Sequence, residues 1–228
     1  MRTSDPISFF VNNLNLFGSK TVEHLVLSFA AMGIALALSI PLGVWLGHLH
    51  RGSFLAINVS NVGRALPSLA VISIGIAFLG IGTLNVIVAL TILAGPVMMT
   101  NAYVAVDTVD PDAVQAAKAM GMMPLQVLWR VELPLALPLI FAGVRTAAVY
   151  VVATATLATF AGGGGLGDII VNEPSYGTGG VIAGSLVITA LTFATDAVLA
   201  GVQYAVTPSP LRKLGIRPRT DEAVLEPS

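Results

Sequence analysis

Long apolar runs cut by short polar stretches organise this chain. Five segments stay mostly apolar for about 20 residues, the length a helix needs to cross a bilayer. They run roughly from Glu23 to Gly47, Ala56 to Leu79, Leu84 to Val106, Leu135 to Phe160 and Val181 to Tyr204. The runs are continuous, whereas strands of a membrane barrel alternate apolar and polar over about ten residues. The pattern therefore predicts an all-α membrane protein with five transmembrane helices. Asp5, Asn12, Asn13 and Asn15 interrupt any apolar stretch at the start. Residues 1–22 thus read as a short surface segment rather than a signal peptide. The spans fill 23–206, a polar loop covers 107–134, and 207–228 form a tail.

Composition agrees. Of 228 residues, 55% are hydrophobic and only 10% charged, against about a quarter charged in a soluble domain. So few charges cannot cover a water-facing surface. The chain has no cysteine, which excludes disulfides and thiolate metal sites. Its net charge is -1, with no basic block of the kind that suits nucleic acid.

The basic residues orient the spans. Arg51, Lys118, Arg130, Arg212, Lys213, Arg217 and Arg219 fall after span one, after span three and in the tail. By the positive-inside rule these regions are cytoplasmic. Arg2 and Lys20 lie on the other side. The N-terminus is then outside and the C-terminus inside, with Trp45, Tyr103 and Tyr204 near inner helix ends.

The loop from Asp107 to Pro134 is too polar to span and too patterned to be a mere linker. Asp110 can cap free amides, Pro111 suits the first helical position, and Asp112 favours the positive end of the dipole. A helix is expected through Val114 to Met120, stopped by Gly121. Pro124 can start a second short helix, Leu125 to Val131, ended by Pro134. Ala116 and Ala117 leave a small face that another protein could approach closely.

These residues resemble the "EAA" signature of ABC importer permeases: Glu-Ala-Ala, three residues, Gly, nine residues, Ile-x-Leu-Pro. The chain reads Gln115-Ala116-Ala117, then Gly121, then Val131-Glu132-Leu133-Pro134, in register. Gln115 replaces the glutamate, which removes a charge, and Val131 replaces the isoleucine. Further stretches resemble the branch importing glycine betaine, choline, carnitine or proline betaine. They are Thr21-Val22-Glu23-His24-Leu25, Pro41-Leu42-Gly43, Leu66-Pro67-Ser68-Leu69-Ala70, Glu132 to Pro138, Ala142-Gly143-Val144-Arg145-Thr146 and Gly163-Gly164-Gly165-Leu166-Gly167. Together they cover most of 21–206.

The resemblance implies a five-span core of the type I importer kind, in the bacterial plasma (inner) membrane. It also implies four partners: an ABC ATPase subunit gripping the loop as a coupling helix, an extracytoplasmic substrate-binding protein, a second permease subunit (identical or related), and the bilayer. ATP and magnesium would sit on the ATPase, with no cofactor in this chain. ATP binding would push the coupling helices and open an outer gate; hydrolysis would reset it. With aromatic residues scattered and only 7% of the chain, selectivity is expected in the binding protein, where an aromatic cage can hold a quaternary ammonium.

Other readings of the same residues are weaker. Gln115 to Val131 also mimics a DNA-reading helix-turn-helix, but Lys118 and Arg130 are too few for phosphate contacts. Gly162 to Gly167 contains G-x-G-x-x-G without the strand, helix and acid of a dinucleotide site. Gly164, Gly165 and Gly167 read instead as a close-packed outer turn near a binding-protein dock. The chain has no phosphate loop. Gly43 and Gly47, like Gly180 and Gly184, are spaced for close helix packing.

Arg145 and Asp196 lie at similar depths in spans four and five. A lone charge there costs about 3 kcal/mol, so either the two pair or each faces a watery interior cavity or a backbone carbonyl. Arg64, with Pro67 and Ser68, is a candidate for the inner gate. His24 lies near the outer side and His48 and His50 near the inner side, so they read as interface residues and not as a metal site. No cluster of serine, histidine and acid suggests catalysis, which argues against a membrane enzyme. A secondary transporter would show inverted repeats, and none is visible. A permease for another small solute, such as an amino acid, remains the nearer alternative.

Overall fold

The computed structural model describes residues 5–50, 58, 61, 63 and 65–206. Every regular element among them is helical. Helix α1, Pro6–Asn12, starts at Asp5, whose carboxylate accepts from the amides of Ile7 and Ser8. The Ser8 hydroxyl and these amides hold the Asp5 carboxyl below the usual carboxylate range.

Helix α2, Leu14–His48, is one unbroken rod of 35 residues, about 52 Å at 1.5 Å per residue. It starts well before the expected span edge at Glu23. The extra turns are held by aromatic contacts. Phe17 is buried, meets Phe9 edge-on at 6.2 Å, and lies 4.9 Å from Phe10. Residues 5–22 are thus largely helical, with Phe17 buried and most other side chains exposed or half-buried.

Helix α3, Ser68–Leu79, has 12 residues, about 18 Å long. It begins after Pro67, whose ring disfavours a helical Leu66. The predicted second span, Ala56 to Leu79, is therefore seen as helix in its latter half. Arg64 and most of 51–62 lie outside the described residues.

Helix α4, Thr83–Asp107, leads into the polar loop with α5, Pro111–Ala119, and α6, Pro124–Val127. One π turn, Leu128–Glu132, then runs directly into α7, Leu133–Thr154. Pro134 does not end a helix here, contrary to expectation. It sits in the first turn of α7, and the Leu133 amide reaches back to Leu128. A proline in a first turn needs no donor, and the widened turn ahead of it absorbs the mismatch. A 3₁₀ stretch, Ala155–Ala161, closes α7. Short α8, Gly167–Val171, precedes α9, Glu173–Val206, which bends at Gly177.

Among the described residues, four helical stretches are long and apolar enough to cross a membrane: Leu14–His48, Thr83–Asp107, Pro124–Ala161 and Glu173–Val206. They pack around a core of small and medium side chains, including Ala31, Ala35, Leu90, Ala94, Met98, Ala147 and Val151. Small residues let helix backbones approach closely, the main attraction available between helices in lipid. Phe29, Leu38, Phe78, Leu186, Phe193 and Val198 point outward and exposed. Water would not tolerate such a surface; lipid tails would.

Helix α2 packs tightly on α4. A Cβ added at Gly43 would overlap the carbonyl of Met99 and lie 2.8 Å from the Ala102 Cβ. At Gly47 it would lie 2.7 Å from the Tyr103 carbonyl. Both obstacles include backbone, which cannot swing aside. Gly43→Val and Gly47→Val are each expected to destabilise the fold by about 1–3 kcal/mol, the overpacking range. A thermal melt in detergent, with Gly33→Val as the unobstructed control, checks this.

Candidate functional site

The 107–134 loop is built as its local signals dictate. The Asp110 side chain accepts from the Asp112 amide at 2.9 Å and starts α5. Gly121 has φ +82°, a left-handed conformation that a side chain would strain. It turns the chain so that the Met122 amide meets the Ala117 carbonyl at 3.2 Å. Gln126 reaches back to the Met123 amide at 2.9 Å. Val114, Ala117 and Val127 form a small buried core with Val109, Met122 and Val131 around it. The loop is therefore one folded unit.

Its other face is bare. Gln115, Ala116, Lys118 and Ala119 are exposed on α5. Beside them Met120, Met123, Leu125 and Trp129 are exposed large hydrophobics. Ala116 faces outward and Ala117 inward, so the two signature alanines divide their work. One keeps the contact face low, and the other fits the unit's core. Leu133 and Pro134 are half-buried at the root of α7.

Two histidine–carboxylate pairs tie this unit to the end of α2. His48 Nδ1 lies 2.6 Å from Glu132 Oε2, and His50 Nδ1 lies 2.9 Å from Asp107 Oδ1. Glu132 is only 2% exposed. Neither pair was expected: both histidines read as interface residues, and Glu132 as a variable signature position. A carboxylate within an otherwise apolar stretch was the signal available.

Arg145 and Asp196 meet side on, with Nε–Oδ1 at 2.5 Å and a second nitrogen–Oδ2 contact at 2.6 Å. This two-point geometry is the strong arrangement for guanidinium and carboxylate. Each side chain stays 35% exposed, so the pair sits at the surface of the α7–α9 contact. Pro67 is exposed and Ser68 half-buried at the start of α3. The structure does not bring them to the Arg145–Asp196 pair, and Arg64 lies outside the described residues.

At the end of the bundle away from the loop, charged groups knit α2 to the glycine turn. Lys20 Nζ is 2.8 Å from both Glu23 and Asp168. The Gly165 amide donates to Glu23 at 3.0 Å, and the Thr159 hydroxyl to Asp168 at 2.5 Å. Gly164 and Gly165 have φ of +75° and +86°, and Gly167 sits against the Thr156 carbonyl. His24 is fully buried beneath this turn, its Nε2 donating to the Val152 carbonyl at 2.8 Å. It is a core residue and not an interface one.

A cavity of about 530 Å³ opens between α4 and α7. It is lined by Gly63, Leu93, Val97, Thr100, Asn101, Thr146 and Tyr150. Asn101 donates to the Val97 carbonyl and Thr146 to the Ala142 carbonyl. The Thr146 hydroxyl donor is thus used on backbone, while Asn101 keeps a second N–H beside its side-chain oxygen.

Reversing Arg145→Asp or Asp196→Arg alone is expected to lower the melting temperature more than reversing both together. Equal losses in all three variants, measured by heating in detergent, would show that the pair contributes nothing as a pair.

Comparison with known proteins places the chain. Residues 39–209 match the family described as binding-protein-dependent transport system inner membrane component. The choline transport system permease protein OpuBB of Bacillus subtilis strain 168 is 36% identical over 200 residues, covering 86% of this chain and 90% of that one. The carnitine transport permease protein OpuCB of Listeria monocytogenes is 35% identical over 208 residues, covering 91% and 95%. Among solved structures, an inward-facing form of the MetNI methionine ABC transporter matches with a TM-score of 0.75 at 21% identity. That match covers 86% of this chain and 98% of the other, and it concerns the fold.

Proposed function

The chain belongs to the family of binding-protein-dependent transport system inner membrane components, and on that premise we propose that it is the permease subunit of an ATP-driven importer of quaternary ammonium osmoprotectants. The solute class is that of its relatives: glycine betaine, choline and carnitine. The observation that carries the coupling role is the folded 107–134 loop with its bare face. A patch of Met120, Met123, Leu125 and Trp129 beside exposed Ala116 is too apolar to be left in water. A small, smooth helix side flanked by flexible methionines suits a groove on another protein. In this reading that protein is the ATPase, which binds ATP and magnesium. Gln115 in place of the family's glutamate means that contact forms without an ion pair there.

The loop then lies in the cytoplasm of a bacterial cell, with the N-terminus outside. The helix Ser68–Leu79 is the inner-lining part of a fifth, interrupted span. The glycine turn 162–167 and the Lys20–Glu23–Asp168 network face outward, where a separate binding protein would dock. Two permease subunits would meet with their α4–α7 cavities facing each other. Each cavity supplies the neutral oxygens of Asn101 and Thr146 and the ring of Tyr150. Such a lining attracts a cationic headgroup weakly, which suits passage more than capture. Arg145 and Asp196 neutralise each other beside this path.

Uptake of labelled glycine betaine and choline at raised osmolarity, in cells with and without the gene, tests the reading. Uptake is expected to vanish in the deletion and in Gly121→Leu, which strains the turn under the contact face. Unchanged uptake in a deletion strain lacking backup systems would sink the solute assignment. A second readout concerns the path. Tyr150→Leu and Asn101→Leu are expected to slow uptake several-fold while the binding protein's affinity for the solute stays as it was. Wild-type rates in both variants would place the path elsewhere.

A further inference from the structure

The two histidines that end α2 hold the two roots of the loop. Asp107 is the last residue of α4, where the chain enters the loop. Glu132 is the last residue of the π turn, where the chain leaves it. His50 pairs with the first and His48 with the second. The loop is joined covalently to α4 and α7 but not to α2. These contacts are the polar link between α2 and the loop's roots among the described residues.

The geometry around the pairs is specific. Glu132 lies deep in the packing, and His48 is its hydrogen-bond partner among the described residues. Pulling them apart would strand a buried carboxylate, the costly way to break such a pair. His48 is itself nearly buried, with the Trp45 ring 6.3 Å away. His50 has φ +47°, the one positive value among the described non-glycine residues. Such a conformation persists where surrounding contacts hold it, and here it turns the imidazole back toward Asp107. The shape of the chain end is therefore set for these contacts.

We propose that His48 and Glu132, seconded by His50 and Asp107, are positioning residues that make α2 move with the 107–134 loop when the ATPase displaces it. The proposal rests on the coupling role assigned to that loop. A hydrogen bond at 2.6 Å is short and directional, so it transmits displacement where apolar contacts slide. Without it, the loop would carry α4 and α7 and leave α2 behind. Through Gly43 and Gly47, α2 lies hard against α4, so such slippage would be lost motion at the opposite end of the bundle. The exposed His50–Asp107 pair would be the weaker strut.

The test uses the complete importer in liposomes, with ATP enclosed and binding protein plus labelled glycine betaine outside. Uptake and ATP hydrolysis are read in the same vesicles. The His48→Leu/Glu132→Leu double variant removes both partners and strands neither. It is expected to hydrolyse ATP at about the wild-type rate while moving about tenfold less solute per ATP, a typical coupling energy. His48→Gln, whose amide can still donate to Glu132, is expected to recover most of the ratio. A double variant with the wild-type ratio overturns the proposal. So does one that loses hydrolysis and uptake in equal proportion, since that marks a purely structural pair.

If the double variant does not assemble, Glu132→Met decides. It keeps the length of the side chain but cannot replace the carboxylate as acceptor for His48, and an unaltered ratio in it overturns the proposal. Wild-type vesicles that accumulate no glycine betaine count against the solute assignment alone. Spin labels at exposed Leu49 and Thr108 then read the link without solute: their distance is expected to stay constant through the ATP cycle in the wild type and to change in the double variant, and a constant distance in both overturns the proposal.

Discussion

A bilayer interior offers no water to a backbone amide, so every break in a helix there must be answered by the protein itself. This constraint explains where the chain bends. The turn between α3 and α4 and the 3₁₀ end of α7 answer each other, with the Gly82 amide donating to the Ala161 carbonyl at 2.7 Å. Beside them the Asn85 amide donates to the Ile72 carbonyl at 3.2 Å, and Asn85 is almost wholly buried. The π turn before α7 likewise keeps its bonds by reaching one residue further back. Irregular backbone is thus gathered where a partner stands ready, and the long helices run between these places.

The long helices can then be used as levers. Glycine at two successive turns seats α2 along the backbone of α4. The glycine turn and its carboxylates fix the far end of α2, while the histidines fix the near end. In the proposed function, a push at one membrane face has to reach a gate at the other. A rod pinned at both ends and seated along its length is suited to that task.

How much of this could be read from residues alone depended on distance along the chain. The loop was legible because its signals are local: Asp110 before Pro111, Gly121 after Ala119, and Pro124 before Leu125 act within one turn. The meeting of Arg145 with Asp196 was legible because equal depth in neighbouring spans leaves a charge few other partners. The pairing of His48 with Glu132 spans 84 positions and depends on how α2 is rotated, which no periodicity reports. Pro134 was misread because proline marks either a helix end or a helix start, and only the turn ahead of it decides. The length of α2 was underestimated because Phe9, Phe10 and Phe17 hold it by contacts between elements. Arg64 and the tail 207–228 lie outside the described residues.

The bare loop face has a consequence for the conditions under which the assembly works. Ion pairs at a protein surface weaken as salt rises, because mobile ions screen them. Contacts through Met120, Met123, Leu125 and Trp129, next to a neutral Gln115, are not screened in this way. Solutes excluded from protein surfaces strengthen apolar burial rather than weaken it. A cell losing water concentrates both its salt and its compatible solutes. In the proposed function, a grip made of methionine and tryptophan would hold through that change, at the moment when an importer of such solutes is needed.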